Sequence, residues 1–152
     1  GSRFYFTIPS EKLSLSDIGQ EKNLEISEDN TSKRKVLVAD DDLTNITLLE
    51  KILLNNFHDI EIVKAMSGDE VVEKAKSAKN LVLILLDIKM PNIDGIKAAK
   101  ILQENGYKVP IIFITASTSL EDKEKASEVD YYDYILKPID VFDTIEKIRH
   151  FL

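Results

Sequence analysis

A doubly wound parallel α/β sheet is the fold class that three observations predict. The chain is 152 residues long, 43% of them hydrophobic, which is about one domain with enough apolar material for a core. From Lys35 onward, apolar segments of strand length alternate five times with amphipathic segments of helix length. The third apolar segment, 81–86, is an unbroken run of six, as expected of a central parallel strand covered on both faces.

Each element has a local reason. Residues 36–39 read as a short buried strand. Residues 44–56 place Ile46, Leu48, Leu49, Ile52 and Leu53 on one helical stripe. Residues 60–65 form a second strand, and 68–78 a second helix with Val71, Val72 and Ala75 inward. A third helix over 93–103 is closed by Asn105-Gly106. Pro110 introduces a fourth strand at 111–115. The fourth helix, 120–129, is charged and thinly apolar. A fifth strand spans 132–136, and Asp140 caps a fifth helix that runs to the end.

Composition divides the chain near residue 34. Residues 10–34 are rich in Ser, Glu, Asn and Lys and read as a linker, with at most a short helix over 13–18. Residues 3–8 alternate apolar Phe4, Phe6 and Ile8 with Arg3, Tyr5 and Thr7, a half-buried strand stopped by Pro9. One strand cannot bury its face alone, so 1–9 reads as the remnant of another domain.

The overall balance excludes several functions. A formal net charge of −7 argues against direct nucleic-acid binding. With no cysteine, there is no disulfide scaffold, thiolate zinc site or cysteine nucleophile, and two histidines rule out a histidine-rich metal site. No run is long and apolar enough to span a bilayer and no signal peptide is visible, so a cytoplasmic domain without membrane contact is expected.

In such a sheet, ligands sit at the carboxyl ends of the strands. After the first strand come Asp40, Asp41 and Asp42; after the third, Asp87; at the end of the fourth, Thr115 and Ala116; after the fifth, Lys137 and Pro138. Crowded carboxylates repel unless a cation relieves them, and a hard divalent ion such as Mg²⁺ suits oxygen donors. Metal, lysine and hydroxyl together can hold a phosphoryl group while a carboxylate attacks it. Taken singly, Asp42 is better explained as a helix cap, Thr115 as a strand-end hydroxyl and Lys137 as a solvated lysine; it is their joint placement that points to a site.

The segments VLVADD (36–41), LLDIKMPNIDG (85–95), FITAS (113–117) and YILKP (134–138), in this order and at these intervals, resemble the receiver domain of two-component response regulators. The resemblance covers 35–152. It implies a flavodoxin-like five-stranded sheet of order 2-1-3-4-5 with five helices. It implies Asp87 as phosphoacceptor, and Mg²⁺ held by Asp41, Asp87 and the Lys89 carbonyl, with Asp40 acting through water. Thr115 and the Ala116 amide would contact phosphoryl oxygens, and Lys137 would pair with the phosphoryl group or Asp87. The Lys137–Pro138 bond would be cis, and Tyr134 would be an aromatic switch that turns inward as Thr115 moves. The implied partners are a histidine kinase, in the same or another chain, and a histidine phosphotransfer protein.

Two places depart from the family pattern. Asp42 adds a charge that either tightens cation binding or caps the helix. Asp130-Tyr131 replaces the usual pair of small residues, so an atypical turn is expected, and the tyrosines of 130–134 serve either a partner or the last helix. GSRFYFTIP (1–9) resembles the last strand of a histidine-kinase ATP-binding domain, although Gly1-Ser2 also resembles a tag remnant; the implied whole is a hybrid histidine kinase, with a stand-alone response regulator as the alternative. Two further readings are a Mg²⁺-dependent aspartyl phosphohydrolase, disfavoured because Lys89 stands where a general acid is needed, and a binding module that is never phosphorylated.

Overall fold

A computed structural model of the chain describes residues 33–117 and 119–152. The described residues form strands β1 (Arg34–Ala39), β2 (Ile60–Ala65), β3 (Leu81–Asp87), β4 (Ile111–Thr115) and β5 (Asp133–Leu136), interleaved with helices α1 (Leu43–Asn56), α2 (Gly68–Ser77), α3 (Gly95–Glu104), α4 (Leu120–Ala126) and α5 (Val141–Ile148). A 3-10 turn, Arg149–Phe151, follows α5. All strand pairs are parallel and the order is β2-β1-β3-β4-β5, as the resemblance implies.

The unbroken apolar run lies in β3, between β1 and β4, where side chains pointing either way meet a core. One core layer gathers Leu37, Ile84, Leu86 and Phe113 with α2, α3 and α4 residues including Val71, Ala98, Ala99, Leu102 and Ala126. The opposite layer gathers Val36, Val38, Leu83, Leu85, Ile112 and Ile114 with Ile46, Leu49 and Leu53 of α1 and Ile148 of α5. This two-sided burial holds the carboxyl ends of β1, β3 and β4 in one row, because their registers place Ala39 opposite Leu86 and Asp87 opposite Ile114.

Most boundaries agree with the sequence reading, and the differences have local causes. α1, α2, α3, α4 and α5 start after Asp42, Ser67, Asp94, Ser119 and Asp140, each of which accepts a hydrogen bond from a backbone N–H of the first turn. The third helix therefore begins at Gly95 rather than residue 93. α4 ends at Ala126, three residues early, because Ser127–Val129 close it through N–H bonds to Lys123, Lys125 and Ala126 carbonyls. Arg34, read as the end of the linker, is the first residue of β1, and its guanidinium donates to the carbonyls of Leu152 (2.5 Å) and His58 (3.0 Å). The strand expected at 3–8 and the linker at 10–33 lie outside the described residues, apart from Lys33. Among the described residues, no helix is long and apolar enough to cross a membrane.

Candidate functional site

The acids converge at the carboxyl ends of β1 and β3. Asp40 is fully buried directly after β1, and Asp87 closes β3 with 2% exposure. Asp41 is exposed at the rim. One oxygen from each of Asp40, Asp41 and Asp87 falls within 4.8 Å of the others. Lys137, delivered by the end of β5, places Nζ 3.0 Å from Asp87 Oδ2 and 3.1 Å from Asp40 Oδ2. Its peptide bond to Pro138 is cis, as expected, and its N–H is bound by the Thr115 carbonyl at 2.8 Å.

Backbone and amide donors fix the two buried carboxylates. Asp40 Oδ1 accepts the Asp42 N–H at 2.8 Å, and its Oδ2 accepts Asn45 Nδ2 at 3.1 Å. Asp87 Oδ1 accepts the Lys89 N–H at 3.2 Å. Asn45 escaped the sequence reading; its signal was its place three residues after the helix cap, on the first turn above the acids. Asp42 caps α1 by accepting the Thr44 N–H at 2.9 Å.

The loop after Asp87 is braced by two close approaches. A Cβ on Gly95 would stand 2.2 Å from the Asp87 carbonyl oxygen, where Gly95 N–H donates to the Ile88 carbonyl at 2.8 Å. A Cβ on Gly68 would stand 2.1 Å from the Ile93 carbonyl oxygen, so the start of α2 seats directly on this loop. Asn92 takes a positive φ of 65° within it. The side chain of Lys89 points the other way, its Nζ 3.6 Å from the buried Asp122 on α4.

The electrostatics record an excess of negative charge. Burial pushes the Asp87 carboxyl up from 3.8 to about 6; the neighbouring Asp40 charge adds to this, while the Lys137 ammonium and the Lys89 N–H pull back. Burial works against the Lys137 charge, but its bonds to Asp87 and Asp40 outweigh that and hold it above the ordinary lysine value. Three carboxylate donors facing one ammonium suit a hard divalent cation with oxygen ligands.

The other sequence-predicted residues are nearby but differently engaged. Thr115, the last residue of β4, turns its hydroxyl to its own loop, donating to the Ser117 carbonyl at 2.8 Å and accepting the Ser117 N–H at 3.1 Å. Ala116 is exposed beside it. Tyr134 is half-buried on β5 and lines a small cleft with Thr115 and Phe113. The turn before β5 is pinned by Gln103, which donates to the Asp130 carbonyl at 2.6 Å and accepts the Asp130 N–H at 3.0 Å. Tyr131 packs not on the last helix but on Phe113 of β4, at 5.3 Å, and Tyr132 lies edge-on at 4.7 Å to Phe151 of the 3-10 turn that follows α5.

Residues 36–149 match the model of the response regulator receiver domain family. The chain belongs to that family. Over 118 residues this receiver domain is 34% identical to protein RcaC of Microchaete diplosiphon, covering 78% of this chain and 18% of that one. Over 124 residues it is 36% identical to hybrid signal transduction histidine kinase I of Dictyostelium discoideum, covering 76% of this chain and 7% of that one. It is 32% identical over 119 residues to the alkaline phosphatase synthesis transcriptional regulatory protein PhoP of Bacillus subtilis, covering 78% of this chain and 48% of that one. The receiver thus spans less than half the length of these relatives. Among solved structures, the receiver domain of Francisella response regulator 1452 superposes with a TM-score of 0.69 at 29% identity, covering 78% of this chain and 96% of that one. A CheY-like receiver domain protein of Methanospirillum hungatei gives 0.70 at 27% identity, covering 78% and 93%. The chain is a receiver module of two-component signalling.

Proposed function

We propose that this receiver is the phosphoacceptor of a phosphorelay, with Asp87 as the residue that is modified. The observation that carries the reading is the setting of Asp87: a buried carboxylate at the end of the central strand, with one oxygen on Lys137 and the other on the Lys89 N–H. In the step proposed, an Asp87 carboxylate oxygen attacks the phosphorus of a phosphohistidine. The O–P bond forms as the N–P bond breaks, and the imidazole leaves with a proton from solvent.

Mg²⁺, held by Asp41, Asp87 and the Lys89 carbonyl with Asp40 behind a water, would neutralise charge on the phosphoryl oxygens. The residues of the chain do the rest. Lys137 supplies a positive charge beside Asp87, Asn45 and the Asp42 N–H orient Asp40, and the Ala116 N–H and Thr115 hydroxyl would receive the phosphoryl oxygens once Thr115 releases Ser117. The acyl phosphate then passes to the histidine of a phosphotransfer protein or to water. The conformational readout runs through Thr115 and Tyr134.

We further propose that the domain belongs to a hybrid histidine kinase, with 1–9 as the end of its ATP-binding domain, 10–33 as the linker and the remainder as the receiver, on the cytoplasmic side. The relative in Dictyostelium and the histidine-protein kinase BarA of Escherichia coli, 31% identical over 119 residues, support that placement, while PhoP supports the stand-alone alternative.

The test is intact mass after incubation with acetyl phosphate. A gain of one phosphoryl group that requires Mg²⁺ and is absent in Asp87→Ala is expected. No gain, either here or from a histidine kinase domain, would refute the phosphoacceptor reading.

A further inference from the structure

The ammonium of Lys147 on α5 makes three contacts, two of them to Tyr134 of β5 and one within its own helix. Nζ donates to the Tyr134 carbonyl at 2.6 Å, sits 5.3 Å from the centroid of the Tyr134 ring, and lies 3.3 Å from the Asp143 carboxylate. Its side chain is 24% exposed, so the charge is partly withdrawn from water, where an aromatic face competes best for a cation. The Tyr134 ring also borders a small cleft whose lining includes Ile88, Phe113, Thr115 and Ala126. The ring is thus held by a charge from α5 and also lines the small cleft beside Thr115.

We propose that Lys147 is the positioning residue of the Tyr134 switch: it holds the ring on the α5 side and sets how often the ring occupies the cleft. The proposal rests on the reading of Tyr134 as the switch. Entry into the cleft gives up the cation–π contact and, with it, part of the Lys147 anchorage. Removing the cation removes a contact made only in the α5-side position, so it shifts the population inward. By linkage, a receiver whose ring is more often inward accepts a phosphoryl group more readily, because phosphorylation favours the same arrangement. The loss of one partly buried cation–π contact corresponds to a shift of about two- to fivefold in the equilibrium.

The chain holds five tyrosines and no tryptophan, so biosynthetic 3-fluorotyrosine gives a small set of ¹⁹F signals, and Tyr134→Phe assigns the one that matters. The experiment uses the full chain with Mg²⁺, with and without beryllium fluoride as a stable mimic of the acyl phosphate. In the native protein the Tyr134 signal moves on activation. In Lys147→Met, and again in Lys147→Gln, the signal of the unactivated protein lies part-way toward the activated position, and phosphorylation by acetyl phosphate is about two- to fivefold faster. Lys147→Arg, which keeps a cation over the ring, stays near the native position. If the native signal moves on activation but both uncharged variants coincide with the native one, Lys147 only props the backbone and the proposal is wrong. If the native signal does not move at all, Tyr134 is not a switch and the reading beneath the proposal falls with it.

Discussion

Replacing Asp87 by Asn should stabilise the metal-free receiver, and the gain can be worked from its titration. The folded state holds this carboxyl at about 6 against an ordinary 3.8, chiefly through burial. Between about pH 4 and pH 6 the folded protein therefore binds more protons than the unfolded chain, so stability falls as pH rises through that window and is flat above it. The full difference corresponds to about 3 kcal/mol, and water reaching the pocket at Asp41 reduces it, leaving about 1–3 kcal/mol at pH 7.5. For a domain of this size, that raises the Tm of Asp87→Asn by about 4–12 °C over the native protein. The assay is thermal melting at pH 4, 6 and 7.5, with and without millimolar Mg²⁺. The gain should vanish at pH 4, where native Asp87 is already protonated. It should shrink on adding Mg²⁺, because cation binding raises the native Tm more than that of the variant. A variant no more stable than the native protein at pH 7.5, or one whose advantage persists at pH 4, would refute the reasoning.

Other changes test separate parts of the structure. Lys137→Met leaves Asp40 and Asp87 facing each other without their ammonium and should lower stability at pH 7.5 by about 1–3 kcal/mol, with recovery on acidification, measured by urea titration. The stability Lys137 provides through its own charge is present below its ordinary value of 10.5 and lost as pH rises through its higher folded value, so the gap between native and variant should also close at strongly alkaline pH. Thr144, on α5, is wholly buried and its hydroxyl has no hydrogen-bond partner among the described residues, so Thr144→Val should raise stability by about 1 kcal/mol, read as a higher urea midpoint. Gly95→Ala forces a Cβ against the Asp87 carbonyl and should cost about 2 kcal/mol or more while slowing phosphorylation by acetyl phosphate, measured by intact mass.

Much of the site was legible because the chemistry sits at strand ends. Once a β-α alternation is recognised, every residue that follows a parallel strand is delivered to one edge, so Asp40, Asp87, Thr115 and Lys137 fall together without any knowledge of distances. Most helix starts were legible within a residue, but the third was read two residues early, at 93, although Asp94 caps it. Where termination depended on weak local bonding, as at the end of α4, the sequence pattern ran three residues too far.

The amino-acid sequence by itself determined the α/β class, the caps, the central position of β3 and the set of polar residues at one edge, because these depend on periodicity and on neighbours along the chain. Only the tertiary structure decided what each side chain does with its freedom. Lys137 binds both buried acids, Asn45 orients Asp40, Lys89 turns its ammonium to Asp122, the Thr115 hydroxyl bonds its own loop, and Lys147 rests on Tyr134. Those pairings join residues on separate elements or rotamers of one residue. They are set by which charges must be neutralised out of water once the sheet has closed around them.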